Sequence, residues 1–161
     1  MNRDKIIILG SGSSVGVPRI DGYWGRANKN DLKNNRTRCS IYLKYKSLNI
    51  LIDTSPDIRS QLLKNKITKI DNVIYTHDHA DQTHGINELR PFFWKNKKKI
   101  NVYTNKSTAK TLYKSFTYLF IKKSKFYNPI LKMNIIKNKF FIRKNKNKFF
   151  FEPIIVSHGD T

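Results

Sequence analysis

A chain of 161 residues is long enough for one domain with a real core and too short for two full ones, since domains commonly run about 100 to 150 residues. Its 39% hydrophobic and 12% aromatic content excludes a disordered chain, and no run reaches the roughly 18 to 20 apolar residues of a membrane span, so no membrane partner is expected. A formal charge of +21 attracts polyanions, yet lysine recurs from end to end, so the charge reads as compositional, with RNA a secondary partner through diffuse attraction.

The first strand covers residues 5–9, and its Ile-rich run reads as a buried strand rather than a signal sequence. The glycines of Gly10-Ser11-Gly12-Ser13-Ser14-Val15-Gly16-Val17-Pro18 then permit turns closed to other residues. Residues 19–38 are irregular and polar. Two apolar runs, 41–45 and 48–52, joined by Lys46-Ser47, predict a hairpin that Asp53 ends. Ser55-Pro56 predicts a capped helix start, with Ile58, Leu62 and Leu63 as its apolar face and its end near Asn65. Residues 73–75 and 101–103 are short strands. A helix starting near Asn105 carries Leu112, Phe116 and Leu119 toward the core. Residues 122–148 predict short strands or exposed ribbon, and 149–156 a final strand before Ser157-His158-Gly159-Asp160-Thr161.

The lone cysteine, Cys39, excludes an internal disulfide and a cysteine zinc finger, fits a reducing cytoplasm, and reads as a small buried side chain rather than a nucleophile. Chemistry concentrates in Thr76-His77-Asp78-His79-Ala80-Asp81-Gln82-Thr83-His84-Gly85, where three of the four histidines fall within eight consecutive positions. On extended backbone past a strand, His77 and His79 project from one face and close on one ion as neutral imidazoles. Asp81 adds a hard oxygen ligand, and such a mixed set suits Zn²⁺, Mn²⁺ or iron. Gly10-x-Gly12-x-x-x-Gly16 is one residue too long for a dinucleotide fingerprint and lacks its acidic partner.

His77-x-His79-x-Asp81 after a buried strand resembles the signature of metallo-β-lactamase-fold hydrolases. Leu9-Gly10-Ser11-Gly12 with Val17-Pro18, Arg36 to Ser40, Ile50 to Asp57 and Gly85 to Arg90 resemble the branch containing phosphoribosyl cyclic phosphodiesterases. The resemblance implies an α/β fold, a metallo-β-lactamase-like αββα sandwich, with residues 1–161 as one incomplete domain: the N-terminal half and the start of the second. It implies Asp53 as a brace for the metal loop, His77, His79 and Asp81 as ligands of one or two Zn or Mn ions, and His158 as a later ligand. In that reading Ser11 and Gly12 approach the substrate phosphate, and Asp81 orients or deprotonates the water. The implied reaction is hydrolysis of a small cyclic phosphodiester through a metal-bound hydroxide. An RNA-processing endonuclease of the same fold and an inactive metal- or RNA-binding remnant are the alternatives.

Two departures shape the expectation. Where the family motif usually places a histidine after the aspartate, this chain has Gln82, a poor ligand, leaving His84 as the nearest substitute. Gly25-Arg26-Ala27-Asn28 stands where related proteins often carry cysteines for a structural zinc, so none is expected. The family's bridging aspartate and final histidine fall after the position of His158, so the chain alone is expected to be weakly stable and to have little activity.

Overall fold

The computed structural model describes residues 4–122 and 125–158. Strands β1 (Lys5–Gly10), β2 (Ser40–Tyr45), β3 (Leu48–Ile52), β4 (Asn72–Ile74), β5 (Ile100–Thr104) and β6 (Leu131–Ile135) form one sheet in chain order. β1 to β3 pair antiparallel and β3 to β6 parallel. Parallel neighbours need crossovers. These are α1 (Ile58–Lys64), then α2 (Ala80–Thr83) with a 3-10 turn at Ile86–Leu89 and α3 (Arg90–Asn96), and finally α4 (Lys106–Ser115) with α5 (Thr117–Phe120). A hairpin of β7 (Phe140–Lys144) and β8 (Asn147–Phe151) makes a second, two-stranded sheet.

Strand alternation divides the interior into two cores. Leu51, Val73 and Val102, neighbours in register, face the helices and pack with Ile58, Leu62, Ile86, Leu112 and Leu119. Ile50, Ile52, Ile74 and Tyr103 point the other way, onto Phe140, Ile142, Phe149 and Phe151 of the hairpin. Helices thus cover one face of the sheet while β7 and β8 begin a second β layer on the other. This is the layered arrangement of the expected sandwich, and it leaves the ends of β3 and β4 open for a site.

Several local expectations change. β1 is an edge strand, so only its helix-side residues are covered: Leu9 is buried, whereas Ile6 and Ile8 are each 69% exposed. Ser55 does not cap a helix; its buried hydroxyl meets Gln61 Oε1 at 3.2 Å, and α1 starts three residues later after Asp57. Asp57 makes no capping bond because its carboxylate accepts from Arg38 N and Nη1 at 2.9 and 3.0 Å. The inner face of α1 is Ile58, Gln61 and Leu62, and Leu63 turns outward. The helix after Asn105, capped by Asn105 Oδ1 on Thr108 N at 2.8 Å, breaks at Phe116 into α4 and α5, while Leu112 and Leu119 both reach the core. The final strand ends at Phe151, and Ile154, Ile155 and Val156 are exposed in an irregular segment. Pro153, which lacks an N–H, interrupts further pairing. Cys39 is exposed, with Sγ directed to Gly12 O at 3.3 Å. Among the described residues no helix is long and apolar enough to cross a membrane.

The reassigned face of α1 gives a direct check. Leu62→Ala, which opens a cavity in the helix-side core, should cost about 2–5 kcal/mol in urea unfolding, whereas Leu63→Ala should stay within about 0.5 kcal/mol. Equal losses would contradict the packing described.

Candidate metal centre

The site grows from the C-terminal ends of β3 and β4. Asp53 follows β3 with φ 60° and is 6% exposed, a position where an unpaired carboxylate would be costly. Its Oδ1 accepts Thr76 N–H at 2.9 Å and its Oδ2 accepts Thr76 Oγ1–H at 2.8 Å, which ties the end of β3 to the residue before His77. Thr76 Oγ1 lies 2.9 Å from His77 Nδ1. With the hydroxyl proton given to Asp53, Oγ1 accepts from Nδ1–H, and the Nε2 lone pair of His77 is left for a ligand.

Further ties hold the loop. Thr54 N donates to Gln82 O at 2.7 Å, Gly85 N donates to Thr54 O at 2.9 Å, and Thr111 Oγ1 donates to Asp78 Oδ2 at 2.6 Å. Gly85 permits the closest approach: a Cβ there would stand 2.1 Å from Ser55 O and 2.7 Å from Ile58 Cγ2.

His77, His79 and His158 come together. Their ligand nitrogens lie within 4.8 Å of one another, and their ring centroids are 4.6, 5.0 and 5.2 Å apart. His158 arrives from the exposed segment after β8, across the whole length of the fold. Burial, reinforced by charge on His79 and His158, holds His77 below the ordinary imidazole value, so this ring favours the neutral base that a cation requires. Three imidazoles converging without an intervening acid fit a divalent ion with nitrogen affinity.

The other sequence candidates are placed differently. His79 is the last extended residue, and α2 begins at Ala80, so Asp81 rides on a helical turn rather than on a continued strand. It stands outside the histidine trio, close enough to act on Asp53 and His77, and its Oδ2 accepts Gln82 Nε2 at 2.8 Å. Gln82, a poor ligand in the sequence, is instead a buried brace for that carboxylate. His84 does not join the cluster; its ring packs against Phe116 at 5.7 Å and its Nδ1 lies 3.1 Å from Thr83 Oγ1. Gly12 N–H is already donated to Thr37 O at 2.7 Å, so this backbone group is not available to a phosphate as expected. Ser11 is exposed, with Oγ accepting from Arg36 Nη1 at 3.1 Å. Sequence reading overlooked Thr76 and the bracing role of Gln82. The signal for Thr76 was present: a hydroxyl between a buried strand and the first histidine, facing an aspartate that needs donors.

A family model for the beta-lactamase superfamily domain matches residues 48–160, from β3 to beyond His158. The chain belongs to the beta-lactamase superfamily. The fold is shared with a diphosphatase from the PhnP family, whose crystal structure superposes at a TM-score of 0.79 with 32% identity, covering 97% of this chain and 58% of that one. Zn²⁺-bound PqqB from Methylobacterium extorquens, 19% identical, shares the fold at a TM-score of 0.64 over 85% of this chain and 47% of its own. An octanoyltransferase from Porphyromonas gingivalis (strain ATCC BAA-308 / W83) is 33% identical over 156 residues, which cover 96% of this chain and 31% of that protein. The chain therefore spans from about a third to somewhat over half of the length of these relatives.

Burial pushes the Asp53 carboxyl up to about 7, against the two bonds from Thr76, and the Asp81 charge adds to the rise. A folded value above the unfolded one means that the contribution to stability is full below about pH 4 and is lost as pH rises through about 7. Metal-free protein should thus lose melting temperature across that window relative to Asp53→Asn. A gain relative to the variant as pH rises would contradict the burial of this group.

Proposed function

We propose that the protein is a metal-dependent hydrolase acting on a small cyclic phosphodiester, with His77, His79 and His158 as the nitrogen ligands and Asp81 as the carboxylate that handles the water. The observation that carries this reading is the convergence of three imidazoles from two distant segments at one point. When bound, a divalent ion, zinc or manganese, acidifies water and offsets charge on phosphoryl oxygens. The chain's residues supply the rest. Asp53, through Thr76, fixes the ring of His77 and directs Nε2 outward. Asp81, held by Gln82, presents its other oxygen to orient an attacking water and accept its proton.

The preference for phosphodiesters rests on the likeness to the PhnP-family diphosphatase, which at 32% identity resembles this chain in sequence as well as in fold. Acyl transfer has less support: most of the octanoyltransferase lies outside the match, and among the described residues the exposed Cys39 is bonded to Gly12 O and to no base. Among the described residues one nitrogen site is assembled, with Asp81 beside it and neither Gln82 nor His84 contributing a second set. The chain should accordingly bind one ion tightly and turn over slowly.

Metal analysis should give one ion per chain, lost in a His77→Ala/His79→Ala double variant, with affinity falling as pH drops below the ordinary imidazole value of about 6.5. Equal metal content in both proteins would remove the site. The substrate is tested separately, on protein whose metal content has been verified. A 2′,3′-cyclic nucleotide should be hydrolysed in preference to linear bis(p-nitrophenyl) phosphate, with turnover reduced at least about 100-fold by Asp81→Ala. A saturated site that hydrolyses neither would overturn the phosphodiesterase reading while leaving the metal site standing.

A further inference from the structure

Nine of the 32 basic residues, scattered along the sequence, are brought together by the fold at the end of the sheet opposite the histidines. Two clefts lie there, side by side, where β1, β3, β4 and β5 begin. The first, about 400 Å³, is lined by Lys5, Lys44, Lys46, Lys66 and Lys69 and by no acid. The second, about 370 Å³, is lined by Lys69, Lys98, Lys99, Arg143 and Lys144, with Asp71 as its one acid. Lys69 belongs to both, so the clefts adjoin. Asp71 is already engaged, accepting from Lys144 Nζ at 2.6 Å and Asn49 Nδ2 at 2.7 Å. Asp4, beside the first cleft, accepts from Lys46 N. At the other end of the sheet, by contrast, Asp53, Asp57, Asp78 and Asp81 surround the metal loop.

We propose that this paired basic cleft is a docking site for a nucleic-acid backbone, separate from the metal centre and independent of its chemistry. From β1 to β5 the band crosses four inter-strand spacings, about 19 Å. A single strand at helical spacing carries about 6 charges over that length, at one per roughly 3.4 Å. Nine cations against one engaged acid are of the same order. The remaining lining is made of hydrogen-bonding groups, among them Asn65, Thr68, Asn72, Asn96 and Asn101, suited to phosphate and ribose oxygens. The apolar residues in the walls, Ile67, Ile70 and Ile100, are buried, so the clefts offer no side chain for insertion into a lipid surface. A strand docked here sits at least the length of β3, about 17 Å, from the histidines, so it is cargo or anchor rather than substrate.

The test separates a site from diffuse charge. A cleft variant, Lys5→Glu/Lys69→Glu/Lys99→Glu, is compared with a control, Lys29→Glu/Lys110→Glu/Lys114→Glu, in which exposed lysines elsewhere are reversed to the same net charge. Binding of a fluorescent 20-nucleotide poly-U RNA is measured from 50 to 200 mM salt, with thermal melting to verify folding and a Lys→Gln version of the cleft triple as a milder second variant. The cleft variants should weaken binding at least tenfold and lower the slope of log affinity on log salt by about 2, and the control should change affinity less than threefold. RNA affinity should be the same with and without bound metal. Equal weakening by both triples, no RNA binding at 50 mM salt, or stronger binding to phosphatidylserine vesicles than to RNA would each overturn the proposal.

Discussion

The buried Asp53 and the exposed Thr76 are joined by two hydrogen bonds, and the architecture of the site depends on that junction. β3 and β4 are parallel neighbours, so their C-terminal ends lie side by side and the chain leaves both toward the same end of the fold. Without a link there, the start of the loop bearing His77 and His79 would be held only by ties further along it, from Thr54 to Gln82 and Gly85 and from Thr111 to Asp78. The carboxylate supplies the link through both a backbone and a side-chain donor, and the threonine hydroxyl passes the constraint on to a ring nitrogen. Under the proposed function, the buried acid orients a metal-ligating imidazole through an intermediate hydroxyl.

The same parallel arrangement separates the charges of the molecule. Carboxylates follow the strands out at one end, where they fix the loop, orient Arg38 and stand beside the histidines. Lysines collect where the strands start, around clefts lined by no acid other than Asp71. A linear sequence hides this division, because cations near the start of a strand and acids just after its end stand only a few residues apart. The proposed nucleic-acid cleft and the proposed metal site thereby lie on opposite surfaces, where the two fields interfere least.

Much of this fold was legible from local pattern. The 41–45 and 48–52 runs, the Lys46-Ser47 turn with φ 51° at Lys46, and the short strand before the histidines follow from alternation and turn chemistry. The errors share a cause, since burial depends on neighbours that a single segment cannot reveal. Ile6 and Ile8 look like core residues but lie on an edge strand, and Leu63 and residues 154–156 look apolar enough to pack but stay exposed. At the site, the spacing of His77 and His79 pointed to two members of the histidine cluster, and likeness to a family pointed to the third, His158. Asp81 and His84 depended on where α2 starts: the helical turn from Ala80 leaves Asp81 beside the trio rather than in it and turns His84 to Phe116. Gln82 read as a defect because its role as a hydrogen-bond donor to Asp81 exists only in three dimensions.

The central claim is that the buried Asp53 acts on the metal centre through the hydroxyl of Thr76. Thr76→Val keeps the shape of the side chain and its backbone bond to Asp53 while removing the hydroxyl. Zinc affinity of the two proteins, measured by competition with a chelating dye, tests the claim most directly, with the melting temperature of the metal-free forms as the control for folding. The relay predicts about 10- to 100-fold weaker zinc binding by the variant in protein that remains folded. Unchanged affinity would show that His77 is oriented without Thr76 and would contradict the account.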